Sequence, residues 1–192
     1  MTRSTPPASA TLAAPEDVVS FWRAAGPGKW FVRDDAFDAE LRRRFGSAQA
    51  AAARGDLDHW LAAPQGALAL VLLLDQLPRN IHRGTAAAFA CDPAARAAAG
   101  RAIAAGFDGQ VEPLLRPFFY LPFMHSEDLA DQERCVALYR ASGDAAWLKY
   151  ALEHRDIIAR FGRFPHRNRA LGRASTPEEA ACLAGGGFTG GQ

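Results

Sequence analysis

The sequence predicts an all-α fold of about eight helices in a single domain over residues 15–184, on three observations. Apolar residues recur at helical spacing, as in Phe37, Leu41 and Phe45 at i, i+4, i+8, which fall on one helix face. Helix start and stop residues divide the chain cleanly, from Asp144 to Gly162 and again at Ser175-Thr176-Pro177-Glu178-Glu179. No stretch shows alternating β-branched residues or an Asn-Gly hairpin signal, so strands are not expected.

The elements follow in order. Residues 1–14, rich in Ser, Thr, Pro and Ala, read as a disordered leader, and the Gly-rich residues 185–192 read as a flexible tail. Pro15-Glu16-Asp17 opens a first helix, with acids at the positive end of its dipole. Val18, Val19, Phe21 and Trp22 form its apolar side, and Gly26-Pro27-Gly28 stops it. A second helix, capped near Asp34 or Asp35, carries Phe37, Leu41 and Phe45, with Asp38 on the neighbouring side. Leu57, Trp60 and Leu61 predict a short helix ended by Pro64.

Gln65 to Asp75 is apolar nearly all round, the mark of a central buried helix, and its Leu and Ala richness favours helix over strand. Pro78 is expected to end or bend it. A short helical piece over residues 85–90 precedes Asp92-Pro93, read as the N-cap and first turn of a helix through Ala105. Residues 112–124, EPLLRPFFYLPFM, predict a helical turn plus an extended wall of aromatics. Ser126 is read as the cap of the next helix, with Glu127 and Asp128 in its first turn. Asp144 caps the last long helix, whose buried stripe includes Trp147, Ala151, Ile158 and Phe161.

Composition bounds the function classes. A formal net charge of +1 argues against bulk electrostatic binding of nucleic acid or of an anionic membrane. Lys29 and Lys149 are the lysines of a chain otherwise basic through arginine. A GC-rich genome accounts for such a bias, so arginine content alone is no argument for anion binding. Cys91, Cys135 and Cys182 are far apart and form no CxxC, which disfavours a disulfide framework and a cysteine zinc site. The N-terminus lacks the apolar segment of a secretory signal, and the longest apolar run, residues 67–74, is far short of the ~18 residues of a membrane span. The chain reads as soluble and cytoplasmic.

Three polar clusters interrupt the apolar pattern. Residues 161–176, FGRFPHRNRALGRAST, bring Arg163, His166, Arg167, Asn168 and Arg173 into one turn-rich connection. Residues 74–85, LDQLPRNIHRGT, rhyme with it and supply Asp75, Arg79 and Asn80. His125 and Glu127 follow the aromatic run.

These segments carry a resemblance. LLLDQLPRNIHRGTAAAFACD, FFYLPFMHSEDLADQ and IIARFGRFPHRNRALGRASTPEE together resemble the bacterial family designated domain of unknown function 924, over roughly residues 16 to 184. The resemblance implies an all-helical fold with a tetratricopeptide-like arrangement of helical hairpins, and it brings no assigned activity. The chain itself shows no clean repeat of about 34 residues with the tetratricopeptide signature, so a peptide-binding role does not follow.

Two functional readings remain in view. In the first, Asp75, Arg79, Asn80, Arg163, Arg167, Asn168 and Arg173 form a site for an anionic small molecule, since planar guanidinium forks suit carboxylate and phosphate. His125 and His166 would move protons there, with Glu127 orienting one of them. No cofactor and no metal is expected: HExxH and the paired Glu-x-x-His of di-iron bundles are both missing, and no phosphate-binding loop is present. In the second, the chain is a non-catalytic helical scaffold for a protein or peptide partner. Against both stands a structural account, in which the arginines are taken up by Asp75, Glu127, Asp128 or Asp156 and by helix-terminal carbonyls.

Overall fold

The computed structural model describes residues 12–186; residues 1–11 of the expected leader and 187–192 of the expected tail lie outside the described residues. Along the chain run α1 (Pro15–Ala25), α2 (Pro27–Trp30), α3 (Asp35–Ala53), α4 (Pro64–Val71), α5 (Leu77–Ile81), α6 (Asp92–Ala104), α7 (Leu121–Met124), α8 (Leu129–Ser142), α9 (Ala145–Phe161) and α10 (Pro177–Ala184). No strand occurs among the described residues, and none of their helices is long and apolar enough to cross a membrane.

The core forms around one rod. α4, a π-helical turn over Leu72–Gln76 and α5 follow one another without a break. Residues 67–73 are fully buried, because α1, α3 and α6 pack around the rod. Enclosure on several sides is why the sequence there has no polar face.

Pro78 does not end the rod. A proline inside a helix lacks its N–H and crowds the carbonyl four residues back. Here the preceding turn is widened, with the Leu77 N–H bonded to the Leu72 carbonyl five residues back. Helical geometry then resumes to Ile81, whose terminal carbonyl accepts from the Arg42 guanidinium of α3.

Several local expectations are corrected. The short helix ends at Ala62, just before Pro64 as expected, and Pro64 also starts the next helix, at a first-turn position where a missing N–H costs nothing. Residues 112–124 form two successive helical turns, Arg116–Phe119 and α7, not an extended wall, because Pro117 and Pro122 each sit in a first turn. Asp92 is the first residue of α6, not its cap. Asp128 caps α8 by accepting from the Ala130 N–H at 2.7 Å, while Ser126 stands outside that helix. The capping box at Thr176 and Glu179 is present as expected at α10.

Aromatic packing closes the two ends. Trp30 stacks on Trp22 with ring centroids 6.2 Å apart, and its indole N–H donates to the Trp22 carbonyl at 2.7 Å. α8 and α9 form a tightly connected pair, with Gly143 in the left-handed region at φ 74° turning the chain between them. Tyr139 on α8 stacks on Trp147 of α9 at 5.8 Å.

Gly66 marks a close approach of two backbones. A Cβ at Gly66 would lie 2.3 Å from the Trp60 carbonyl oxygen, which belongs to backbone that cannot swing away. Gly66→Ala is therefore expected to destabilise the protein by at least about 2 kcal/mol in chemical denaturation, despite alanine's better helix propensity. A neutral or stabilising result would show that the turn before α4 yields freely.

Candidate functional site

The widened turn of the rod places Asp75 in the interior. Its carboxylate is 1% exposed and is met by two side-chain donors, His125 and Gln76, and by the charge of Arg79. The His125 ring nitrogen Nδ1 lies 2.8 Å from Oδ1, Arg79 Nη1 lies 3.2 Å from the same oxygen, and Gln76 Nε2 donates to Oδ2 at 2.6 Å. A carboxylate only accepts, so Nδ1 of His125 carries the proton and Nε2 presents a lone pair.

His125 is set by a second buried group. Gln132 of α8, with 0% exposure, donates through Nε2 to the carbonyls of Met124 at 2.7 Å and Ser126 at 2.6 Å, one on each side of His125. The chain bend at the end of α7 is thereby fixed, and with it the imidazole.

Next to this pair lies a second carboxylate. Asp92 is 7% exposed and accepts both forks of Arg79, at 2.9 and 3.0 Å. That duty explains why it is not a helix cap. Arg167, 6% exposed, reaches the same carboxylate only at 3.5 Å, and its Nε is buried with no hydrogen-bond partner among the described residues. Its guanidinium lies over the rings of Phe89 and Phe164, 4.7 and 4.5 Å from their centroids.

The other predicted ligands are engaged differently. Arg163 grips Glu179 at 2.6 and 2.9 Å, and Asn168 donates to Glu179 at 3.1 Å. Arg173 holds Glu127 at 2.7 and 2.9 Å, and Glu127 also accepts from the Phe164 backbone at 2.8 Å. These bonds tie residues 162–176 and α10 to the rest of the fold. Glu127 is taken up by Arg173 and the Phe164 backbone, and the carboxylate that contacts His125 is Asp75. Asn80 donates to Asp38 of α3 at 2.8 Å, joining α5 to α3. Among the described residues, no three His, Cys, Asp or Glu side chains group as a metal site.

Charge in the interior is nearly balanced. Burial works against the Asp75 carboxylate, yet His125, Arg79 and Gln76 outweigh it and hold its pKa down at about 2. Burial and then Arg79 push His125 below its ordinary value, so the imidazole stays neutral beside an ionised Asp75. His154 is depressed to about 3 by burial and by His125, and His166 to about 3 by burial and by Arg167. Burial, then Arg79, brings Arg167 down to about 10, still cationic at neutral pH. His154 donates from Nδ1 to the Tyr150 carbonyl at 2.7 Å, a structural bond along α9.

A separate hollow of about 270 Å³ opens between α3 and α6. Ala52, Leu61, Leu74, Ala98 and Arg101 are among its lining, and none of the cluster's polar side chains is.

Asp92, Gln76, Gln132 and Phe89 complete the site and were not anticipated. One signal was legible: Gln132 falls on the same stripe as Cys135, Val136 and Tyr139, so a polar residue sat on a buried face.

Residues 18–187 match the family described as bacterial protein of unknown function (DUF924). A solved structure, that of protein of unknown function ATU0120 from Agrobacterium tumefaciens, shares 53% identity and a TM-score of 0.85. The match covers 88% of this chain and 96% of that one. No curated protein shows a significant match.

The neutral histidines make stability acid-sensitive. The unfolded chain binds protons on His154 and His166 below about pH 6.5, whereas the folded chain resists until about pH 3. Their stabilisation is complete above pH 6.5 and falls as pH drops through that window, by up to about 1.4 kcal/mol per pH unit for each. Asp75 adds a loss only below about pH 3.8, its unfolded value. Urea denaturation is expected to give a markedly lower stability at pH 5 than at pH 7, with a smaller difference in His154→Phe. Equal stabilities at the two pH values would contradict this account.

Proposed function

The chain belongs to the DUF924 family of bacterial proteins of unknown function, and we propose that it binds an anionic small molecule beside Arg167 and moves a proton on it through His125. The Asp75–His125 contact carries the reading. A buried carboxylate that fixes one imidazole tautomer leaves the other nitrogen as a base, and a neutral imidazole is the state a base requires.

Arg79 and Arg167 have different parts in this reading. Arg79 is saturated by Asp75 and Asp92 and serves to hold those carboxylates in place. Arg167 keeps donor capacity, so it is the group that meets the anion. His125, with a side chain 15% exposed, stands nearer solvent than Asp75 beneath it. His166, partly exposed, is a second proton-handling group beside Arg167. Arg163, Asn168 and Arg173 act at one remove, by fixing the segment that carries Arg167. The chemistry is acid–base catalysis by side chains.

One observation favours a second reading, a scaffold for a protein partner. Phe31, 40% exposed, and Tyr150, 52% exposed, both lie against Trp147 and form an aromatic ridge at the surface. The tetratricopeptide-like layout implied by the family resemblance would suit such a role. The acid–base reading stands first because the buried Asp75–His125 pair supports it directly.

A thermal-shift screen of carboxylates, phosphates, nucleotides and divalent metals tests the proposal. A ligand at about 100 times its dissociation constant stabilises by about 2.7 kcal/mol, a readable shift. The expected result is a shift with one anion class that is lost in Arg167→Ala and kept in His125→Gln. Solvent deuterium should enter that ligand with the wild type and not with His125→Gln. Silence across the screen, with Arg167→Ala lowering the melting temperature by itself, would turn the search to protein partners.

A further inference from the structure

Arg167 differs from every other arginine of the cluster in what it lacks. Arg163 and Arg173 each close on a carboxylate with two short bonds, and Arg79 does so with Asp92. Arg167 has one long contact to a carboxylate already taken, and a buried Nε–H with no acceptor. A charged donor left without a partner in the interior is costly, so native structures supply an acceptor from protein, water or ligand. Here none of the described residues supplies one.

From this geometry, resting on the anion site proposed above, we infer that the acceptor is the planar carboxylate of a small monocarboxylic acid, in preference to a phosphate. Two independent features select it. The rings of Phe89 and Phe164, with centroids 4.7 and 4.5 Å from the guanidinium carbon, crowd it with apolar surface and narrow the space around its N–H edge. A flat carboxylate meets that edge with two oxygens in the guanidinium plane, whereas a tetrahedral phosphate carries oxygens out of the plane into that narrowed space.

Charge counts in the same direction. The interior holds the cations Arg79 and Arg167 and the carboxylates Asp75 and Asp92, each 7% exposed or less. The groups facing Arg167 from the packed elements are Asp92 and Arg79, the histidines 125, 154 and 166, and Glu127, which Arg173 neutralises. The histidines stay uncharged at neutral pH, so one bound anion takes the cluster to a single negative charge. A phosphate dianion would take it to two, in a medium where uncompensated charge is expensive.

The side-chain Nε–H signals of 15N-labelled protein test the inference. The Arg167 signal is identified by its absence from Arg167→Lys, a variant that keeps the charge and loses the fork. Acetate and inorganic phosphate are then titrated at pH 7 and constant ionic strength. The expected result is saturable movement of the Arg167 signal, with acetate half-saturating at no more than a tenth of the phosphate concentration, and no saturable acetate binding to Arg167→Lys. Phosphate saturating at equal or lower concentration would overturn the carboxylate assignment while leaving an anion site at Arg167. An Arg167 signal that neither anion moves would mean that water completes the guanidinium, and would overturn the anion site as well.

Discussion

An ionised carboxylate in the middle of an apolar rod imposes conditions on everything around it. Asp75 is 1% exposed, so each of its oxygens must be met by protein donors or the fold would lose several kcal/mol. Those partners come from three places: Gln76 in the same turn, Arg79 one turn on, and His125 from the end of α7. Meeting that need draws in further groups. Arg79 then requires Asp92, His125 requires the bend held by Gln132, and Asp92 brings the first turn of α6 to the rod. The polar interior is a chain of obligations that begins at one side chain.

The widened turn supplies the geometry. Pro78 cannot donate to the carbonyl four residues back and crowds it, and a π turn relieves that conflict by adding a residue to the turn. Asp75 and Gln76 lie within that widened turn, so the backbone irregularity and the buried carboxylate coincide in the rod.

The C-terminal segment shows how arginines within a few residues of one another differ in what they bond. Arg163 and Arg173 spend their forks on Glu179 and Glu127, which docks the loop and caps the backbone at Phe164. With the loop held by those pairs, Arg167 is carried into the interior between aromatic rings, where its own donors are not exhausted. Of the expected structural partners Glu127 does take up Arg173, while Arg163 turns to Glu179 instead; together these pairs fix the segment that carries Arg167.

Much of the fold was written locally. Helix starts at Pro15, Asp34 and Thr176, and stops at Gly26, Gly143 and Gly162, follow from side chains that satisfy nearby backbone groups or tolerate a positive φ. The absence of any strand pattern predicted the all-α class, and residues of the three polar clusters meet around Asp75. Tertiary structure alone decided which polar groups meet. Asp92 bonds a guanidinium 13 residues away instead of capping its own helix, Glu127 bonds Arg173 46 residues on, and Asp75 takes the role of orienting His125 across 50 residues. Caps depend on neighbours a few residues apart and can be read from one strand of text. Partners for a buried charge depend on which helices pack against it, and that is set by the whole core.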